Sequence, residues 1–182
     1  CHFAHVLKDE FDVQKGDRVA IVMRNYPQWS VAFFAALSIG AIATPMNSWW
    51  TGEELEYGLQ NSGVKVAVFD PQIYERVREH LGGLADLEAV IIARETEEER
   101  NNPRVHNFES FIGEPGDWAA LENKGLPDIE LGPDDDATIM YTSGTTGKPK
   151  GALATHRAVI SNFLNSMTCQ ARMFLRRGEQ PP

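Results

Sequence analysis

Cysteine is scarce in the 182-residue sequence, which contains only Cys1 and Cys169. Two cysteines cannot form a framework of several disulfides, and no close cluster of cysteine and histidine offers a zinc site. Both residues are therefore interpreted as ordinary thiols. This cysteine usage is typical of a reducing compartment, and we expect a cytoplasmic location.

Long apolar runs and basic stretches are missing as well. No run of about 18 apolar residues, the length that a bilayer requires, occurs in the chain, so no integral membrane segment is predicted. Acidic residues outnumber basic ones by 26 to 17, for a formal net charge of −9. This balance argues against nucleic acid as a partner. It does not exclude ATP as a ligand. At physiological salt the electrostatic effect of a charge is screened beyond about 8 Å, so distant carboxylates have little influence on a binding loop.

Glycines, hydroxyl side chains and lysines are concentrated in Tyr141 to Gly151, which read YTSGTTGKPKG. Glycine lets successive N–H groups turn toward an anion, hydroxyls add donors, and lysines add positive charge. The hydroxyl donors are Thr142, Ser143, Thr145 and Thr146. This composition suits a polyphosphate, and ATP is the first ligand that it indicates.

The same run does not match the P-loop of kinases and GTPases. That motif requires GxxxxGK followed by Ser or Thr, with a helix directly after the lysine. Gly144 and Gly147 are only three residues apart, and Lys148 is followed by Pro149. Residues 150–155 are short, mainly apolar and end at a turn, so they predict a strand. A glycine-rich hairpin is therefore predicted.

The run resembles the phosphate-binding signature of the AMP-forming adenylating enzymes, which include acyl-CoA synthetases, luciferases and peptide-synthetase adenylation domains. The resemblance extends upstream through residues 16–47 and the segment VKVAVFD, and covers nearly the whole chain. Pro45, Met46 and Asn47 look closer to the PxN turn of acyl-CoA synthetases than to the PxDP-like sequence of peptide synthetases. A fatty-acid or related acyl-CoA ligase is implied, with medium-chain, long-chain and aryl acids all open.

The resemblance implies a two-step reaction. A carboxylate attacks the α-phosphate of ATP to give an acyl-adenylate and pyrophosphate, and the thiol of coenzyme A then displaces AMP. In that scheme the run holds the β- and γ-phosphates. The implied contacts are the backbone of Gly144 and Gly147, the hydroxyls of Ser143, Thr145 and Thr146, and the side chain of Lys150. Thr142 matches a position that helps hold Mg²⁺ together with a glutamate from a later motif.

Both ends of the chain look cut. It starts at Cys1 inside a helical pattern, and the family's later motifs, including that glutamate and an essential lysine, have no counterpart. We therefore expect residues 1–182 to be a partial N-terminal adenylating domain, truncated at both ends and without the mobile C-terminal domain. No catalytic residue is expected in this fragment, which should be inactive alone.

Short apolar runs alternate with helix-like segments along the chain. This order predicts an α/β fold, a largely parallel sheet with flanking helices, which the resemblance places in the large N-terminal domain of an adenylating enzyme. Strands are predicted at 19–23, 41–44, 64–69, 87–93, 137–142 and 150–155. Residues 94–136 are charged and turn-forming, and predict a surface connection with short helices.

Several residues predict where helices begin. Asn25 can cap a helix with Pro27 in its first turn, and Thr51 with Glu54 forms a capping-box pattern. Asp70 can start a helix whose apolar face includes Ile73, Val77 and Leu81. Thr155 can cap a last helix from His156, with Val159, Phe163 and Met167 on one side. His156 is interpreted as a first-turn residue rather than a ligand.

Three other features are interpreted without a ligand. Trp49 and Trp50 are expected to anchor a loop to the core or meet a partner surface. The carboxylates of 134–136 are interpreted as a solvated loop rather than a cation site. Cys169 lies on a predicted helix without an identifiable base, unlike a catalytic thiol.

Two alternatives to the ligase stay open. An ADP-forming phosphotransferase would also bind ATP, but the P-loop spacing disfavours it. A truncated, noncatalytic relative would bind nucleotide or a partner through its exposed sheet edge and unpaired apolar surface.

Overall fold

The computed structural model describes residues 1–96, 105–142 and 147–180. Within these ranges seven strands form one sheet. They are β1 (Arg18–Val22), β2 (Ile42–Pro45), β3 (Val64–Phe69), β4 (Ala89–Ile92), β5 (Val105–Asn107), β6 (Asp136–Thr142) and β7 (Lys150–Thr155). Their order across the sheet is β5-β4-β3-β1-β2-β6-β7.

Helices precede, connect and follow the strands in the described part of the chain. They are α1 (His2–Asp9), α2 (Pro27–Ser38), α3 (Gly52–Ser62), α4 (Pro71–Val77), α5 (Phe108–Ile112) and α6 (His156–Arg176). Two short 3₁₀ helices, Arg78–Gly83 and Trp118–Ala120, complete the set. Among the described residues, we find no helix with the length and apolar character needed to cross a membrane.

The sheet is parallel except at one edge. Strand β1 pairs in parallel with β2 and β3, β4 continues from β3 to β5, and β6 lies parallel to β2. Among the strands of the described ranges, only β7 runs antiparallel, against β6. This arrangement confirms the predicted α/β class, and it confirms the predicted hairpin between β6 and β7.

Apolar side chains cover both faces of the central strands. Along β1, Val19 and Ile21 join a cluster with α1 and α2, whereas Ala20 and Val22 join a second cluster with α3 and α4. Successive strand residues point to opposite faces, so a strand buried on both sides has a continuous apolar sequence. That is why the central strands could be predicted from short apolar runs.

Helix α3 has both of its predicted end signals. The Thr51 side chain accepts a hydrogen bond from the Glu54 N–H, and the Glu54 carboxylate accepts one from the Thr51 N–H, at 3.3 and 2.8 Å. At the other end Gly63 adopts a left-handed conformation, with φ of 60°. Glycine takes that conformation without the steric penalty of a Cβ.

Three predictions of local structure need correction. Asn25 does not cap α2, because Tyr26 is the N-cap residue and no side chain satisfies the first turn. The helix predicted to continue to Leu81 ends at Val77 and tightens into the 3₁₀ helix that follows. Strand β5 lies in a stretch predicted as surface connection, and with three residues it is too short to show a period of two.

Candidate functional site

The β6–β7 hairpin carries the run predicted to bind polyphosphate. Thr142 pairs with Lys150, and Tyr141 pairs with Gly151, so the two ends of the run face each other. The predicted contacts Ser143, Gly144, Thr145 and Thr146 lie outside the described residues. Their role stays a prediction, and the described geometry of the site is that of the hairpin around them.

Thr142 and Lys150 lie together at the end of the hairpin. The Thr142 hydroxyl donates to the Lys150 carbonyl oxygen over 3.4 Å, a long and weak hydrogen bond. Both residues are exposed, so the Lys150 ammonium is accessible to a ligand. The arrangement places a hydroxyl residue and a lysine opposite each other in the last pair of the hairpin.

Gly147 begins the second half of the described run with φ of 89°. A Cβ at this position would meet nothing within 4 Å, so the space around Gly147 does not require glycine. The backbone conformation does, because L side chains rarely adopt a positive φ. Positive φ next to ordinary backbone is also the geometry that turns N–H groups toward an anion.

Lys148 is the second cation of the run. Its Nζ lies 4.9 Å from the centre of the Tyr57 ring, on α3. In the part of the chain that the structure describes, neither Lys148 nor Lys150 forms an ion pair with a carboxylate. Both charges therefore remain available to an anionic ligand.

Helix α3 also holds the first strand of the hairpin. The Tyr141 hydroxyl lies 3.0 Å from the Gly58 carbonyl oxygen and 3.0 Å from the Asn61 side-chain oxygen, either of which can accept its proton. The Trp50 ring meets the Tyr141 ring edge-on, with centroids 5.5 Å apart. Burial raises the pKa of Tyr141, and the nearby Tyr57 adds to the rise. Tyr141 therefore stays a neutral donor at physiological pH.

Polar contacts position the far end of the hairpin and the start of α6. The Thr155 side chain accepts a hydrogen bond from the Ala158 N–H at 3.2 Å, which confirms the predicted cap and puts His156 in the first turn. The Arg157 guanidinium donates to both carboxylate oxygens of Asp134 at 2.7 and 2.9 Å. This hydrogen-bonded pair lowers the pKa of the Asp134 carboxyl below its ordinary value.

The hairpin lies within a part of the chain that matches a known protein family. The family model of the AMP-binding enzymes matches residues 1–179, nearly the whole chain. The chain belongs to the AMP-binding enzyme family. This membership confirms the resemblance inferred from residues 141–151.

Individual AMP-binding enzymes resemble the chain over a limited part of their own length. A 4-coumarate–CoA ligase 2 of Oryza sativa subsp. japonica is 29% identical over 88% of this chain and 28% of its own length. The long-chain-fatty-acid–CoA ligase FadD13 of Mycobacterium tuberculosis is 32% identical over 82% of this chain and 26% of its own. The chain thus spans about a quarter of the length of these relatives.

A solved structure of an AMP-binding enzyme has the same fold. The anthranilate CoA ligase AuaEII, in complex with anthranoyl-AMP, superposes with a TM-score of 0.72 over 86% of this chain and 28% of that chain. Its sequence identity to this chain is 24%, so this likeness establishes the fold alone.

The structure also shows the exposure and contacts of the other residues that were singled out in the sequence. Trp50 is partly buried and packs against the core, as expected for an anchor, whereas Trp49 is 86% exposed. The Asp135 carboxylate accepts from Lys15 at 2.6 Å and from the Gly132 N–H at 2.5 Å. Asp134 pairs with Arg157. Cys169 is an exposed free thiol.

The contribution of α3 to the site was not predicted from the sequence. Tyr57, Gly58 and Asn61 contact the two sides of the hairpin, yet they lie far from it along the chain. A tyrosine on an amphipathic helix has no local signature of such a contact. Only the packing of α3 beside β6 brings these residues to the site.

Proposed function

We propose that the chain carries the ATP phosphate-binding loop of an AMP-forming acid–CoA ligase and is the N-terminal part of that longer enzyme. The observation that carries this proposal is the hairpin of a family member, in which Thr142 and Lys150 face each other and Lys148 adds a second unpaired charge. Residues 143–146, between the two strands, supply the remaining predicted donors.

The charges of the hairpin suit a polyphosphate. A pair of unit charges about 4 Å apart interacts by about 4 kcal/mol at an effective dielectric of 20, before desolvation is counted. Two exposed ammonium groups on one hairpin can therefore attract a nucleotide locally, although the net charge of the chain is −9. The backbone of Gly144 and Gly147, the hydroxyls of Ser143, Thr145 and Thr146, and Lys150 are the proposed contacts.

The proposed reaction forms and breaks two bonds in sequence. A carboxylate oxygen of the acid attacks the α-phosphorus of ATP, and the bond to pyrophosphate breaks. The thiol of coenzyme A then attacks the acyl carbon, loses its proton and releases AMP. The hairpin's role is to hold the β- and γ-phosphates in line and to stabilise the charge of the departing pyrophosphate. We assign no catalytic residue to the chain, and propose that it does not form adenylate alone.

Thr142 is the proposed contribution of the chain to a Mg²⁺ site. Among the described residues its hydroxyl makes one hydrogen bond, the 3.4 Å bond to the Lys150 carbonyl, so its oxygen can still act as a ligand. Within the described residues, no three His, Cys, Asp or Glu side chains converge on a cation. Bound Mg²⁺ would neutralise phosphate charge, and its other ligands would be phosphate oxygens, water and a glutamate outside this chain.

We propose a fatty acid or a related carboxylic acid as the substrate. The PxN turn at Pro45 to Asn47 supports an acyl-CoA ligase. The names of two relatives, a 4-coumarate–CoA ligase and a long-chain-fatty-acid–CoA ligase, support both an aryl and an alkyl acid. Coenzyme A is the proposed co-substrate, and the cytoplasm the proposed location.

Carboxylate-dependent exchange of labelled pyrophosphate into ATP tests the proposal. The full-length ligase is assayed with a series of fatty acids and a series of aromatic acids, because exchange reports adenylate formation directly. We expect exchange with one of the two series, which also identifies the substrate class. If no acid supports exchange while ATP still binds with Mg²⁺, the ligase proposal is wrong.

Lys150→Met provides the sharpest variant for this assay. Loss of one charge-assisted phosphate contact should lower kcat/KM for ATP by roughly 10- to 100-fold, while KM for the acid changes little. Thr146→Ala should have a smaller effect of the same kind. Lys124→Met is the matched control, because Lys124 is exposed and forms no hydrogen bond or ion pair with the other described residues. Unchanged ATP kinetics in both Lys150→Met and Thr146→Ala would contradict the assignment.

One observation favours a second candidate function. Helix α6 exposes a row of apolar side chains, among them Phe163 at 63% and Leu175 at 64%, in a chain that spans about a quarter of its relatives. A noncatalytic relative could bind nucleotide and cover this helix with a partner. ATP binding without exchange, together with a stable partner complex, would favour it over the ligase.

A further inference from the structure

Tyr57 and Lys148 form a contact that the phosphate-binding scheme does not use. The Lys148 Nζ lies 4.9 Å from the centre of the Tyr57 ring, well inside the range of about 6 Å for a cation–π interaction. Lys148 is exposed and Tyr57 is half-buried, so the ring is the more closely packed partner of the contact. The contact fixes the direction of a cation directly beside the predicted phosphate loop.

The opposite side of the hairpin is held by the same helix. Tyr141, next to Thr142, meets the Gly58 carbonyl oxygen and Asn61 on α3, each at 3.0 Å. Tyr57 precedes Gly58 directly on that helix. One turn of α3 therefore contacts the chain both before and after residues 143–146.

Helix α3 is rigid enough to serve as a reference for the hairpin. Its capping box and its left-handed Gly63 satisfy both ends, and Leu55 and Leu59 are 0% and 1% exposed in the core. Lysine, by contrast, has four rotatable bonds and loses much side-chain entropy when it is held by a ligand. A ring that already restricts Lys148 reduces the entropy lost on binding.

We propose that Tyr57 is a positioning residue for the nucleotide site, holding the Lys148 ammonium ready for the phosphates of ATP. The inference rests on the proposed function, because it assigns a task to a residue of the same site. Tyr57 itself contacts no phosphate in this proposal. It acts through Lys148, which distinguishes its effect from that of a direct ligand.

Steady-state exchange kinetics of the full-length ligase test the inference. We expect Tyr57→Leu to raise KM for ATP by about two- to fivefold, the range of an exposed cation–π contact, with kcat and KM for the acid unchanged. Tyr57→Phe keeps the ring and should keep the normal KM. Phe34→Leu is the matched control, since Phe34 is 65% exposed and contacts only Phe33 among the aromatic rings of the described residues.

A double-mutant cycle separates positioning from a general structural effect. In a Lys148→Met background, Tyr57→Leu should cause no further rise in KM for ATP, because the cation that the ring positions is gone. An equal rise in both backgrounds would overturn the inference. A fall in KM for ATP with Tyr57→Leu would also overturn it, because the ring would then compete with the nucleotide for Lys148.

A second measurement does not depend on catalysis. Lysines of the full-length protein are ¹³C-dimethylated, which retains their charge, and the Lys148 signal is assigned by its loss in Lys148→Arg. We expect a ring-current shift of this signal in the parent and in Tyr57→Phe, and its loss in Tyr57→Leu. Equal Lys148 shifts in the parent and in Tyr57→Leu would refute the contact itself.

The two measurements also separate this inference from the proposed function. If no acid supports exchange in the unsubstituted protein, the ligase proposal fails, and equilibrium binding of ATP replaces KM as the readout for Tyr57→Leu. If exchange is normal but neither KM nor ATP affinity responds to Tyr57→Leu, only the positioning role is wrong.

Discussion

The centre of the sheet and the β6–β7 hairpin are held in place by different kinds of contact. In β1 and β3, Ile21 and Phe69 are fully buried among apolar neighbours on the two faces. In the hairpin and the helix after it, Leu153 is 56% and Phe163 63% exposed. The hairpin is joined to the sheet by the parallel pairing of β6 with β2 and is otherwise held by its own antiparallel pairing, by Tyr141 and by the Asp134–Arg157 pair.

The difference shows how stability and binding are divided within the chain. Burial of apolar side chains stabilises the central strands by about 25 cal/mol per Å² of apolar surface, so these strands tolerate little change. The hairpin contributes few buried side chains to the core, and each of its polar contacts adds little to the free energy of unfolding. Thr142 and Lys150, which are predicted to bind the nucleotide, therefore lie in a region with few buried contacts.

The largest expected effect is a difference in the free energy of unfolding between two phenylalanine-to-alanine substitutions, one in each region. Phe69→Ala should lower the free energy of unfolding by about 3–5 kcal/mol, because it leaves a cavity between β3 and its covering helices. Phe163→Ala, on the exposed α6, should change it by no more than about 0.5 kcal/mol. Urea unfolding of the two variants and of the unsubstituted chain measures the difference. Equal losses would mean that α6 is covered by something, and the comparison would fail.

A smaller effect is expected at the contact between the two regions. Tyr141→Phe removes the hydroxyl that bonds to α3 and should lower the free energy of unfolding by about 0.5–1.5 kcal/mol. The matched control is Tyr26→Phe, because Tyr26 makes no hydrogen bond through its hydroxyl in the described part of the chain and its ring contact with Arg94 survives. Similar losses in the two variants would show that the α3 bond does not stabilise the hairpin.

The pH dependence of Tyr141 follows from its environment. Burial raises its folded-state pKa above the ordinary value of 10.0, so the folded chain keeps the phenol neutral where the unfolded chain ionises. Its contribution to stability is fully present below pH 10.0 and is lost as the pH rises through the folded pKa. Unfolding free energies above that pH should fall less steeply in Tyr141→Phe than in the parent.

The smallest effect is expected at the surface pair that joins α6 to the loop before β6. The hydrogen bond from Arg157 lowers the pKa of Asp134, so its contribution is present above the ordinary value of 3.8 and is lost as the pH falls through the lower folded value. Asp134→Asn should slightly reduce the Tm at neutral pH and low salt, and not in strong acid or high salt. Asp128→Asn is the control, because Asp128 is exposed and forms no ion pair among the described residues. A reduction that is independent of pH and salt, or equal to that of Asp128→Asn, would contradict this account.

Local signals in the sequence predicted much of the fold. Strands β3 and β7 have the predicted bounds, and the capping box at Thr51 is present with both of its hydrogen bonds. Asp70 caps α4 by accepting from the Ile73 N–H, as its position before Pro71 indicated. These features depend on a few adjacent residues, so their physical cause is visible in a short window of sequence.

Features that depend on distant residues were missed or misplaced. Strand β5 forms by hydrogen bonding to the edge of β4, and its three residues are too few to show an alternation of apolar and polar side chains. Asn25 has a good capping side chain, but the first turn of α2 starts one residue later. For the site, the sequence predicted a phosphate-binding run, whereas the contacts of α3 with both sides of the hairpin could not be predicted from it.

The sequence alone determined the alternation of the six predicted strands with helices, the β6–β7 hairpin and membership of the AMP-binding enzymes. It could do so because apolar periodicity, caps and glycine-rich turns act over short distances. Only the tertiary structure decided that Tyr57 meets Lys148, that Tyr141 bonds to Gly58 and that α6 presents its apolar side chains to the outside. Those contacts join residues far apart in the chain, and they arise when the sheet and its helices pack together.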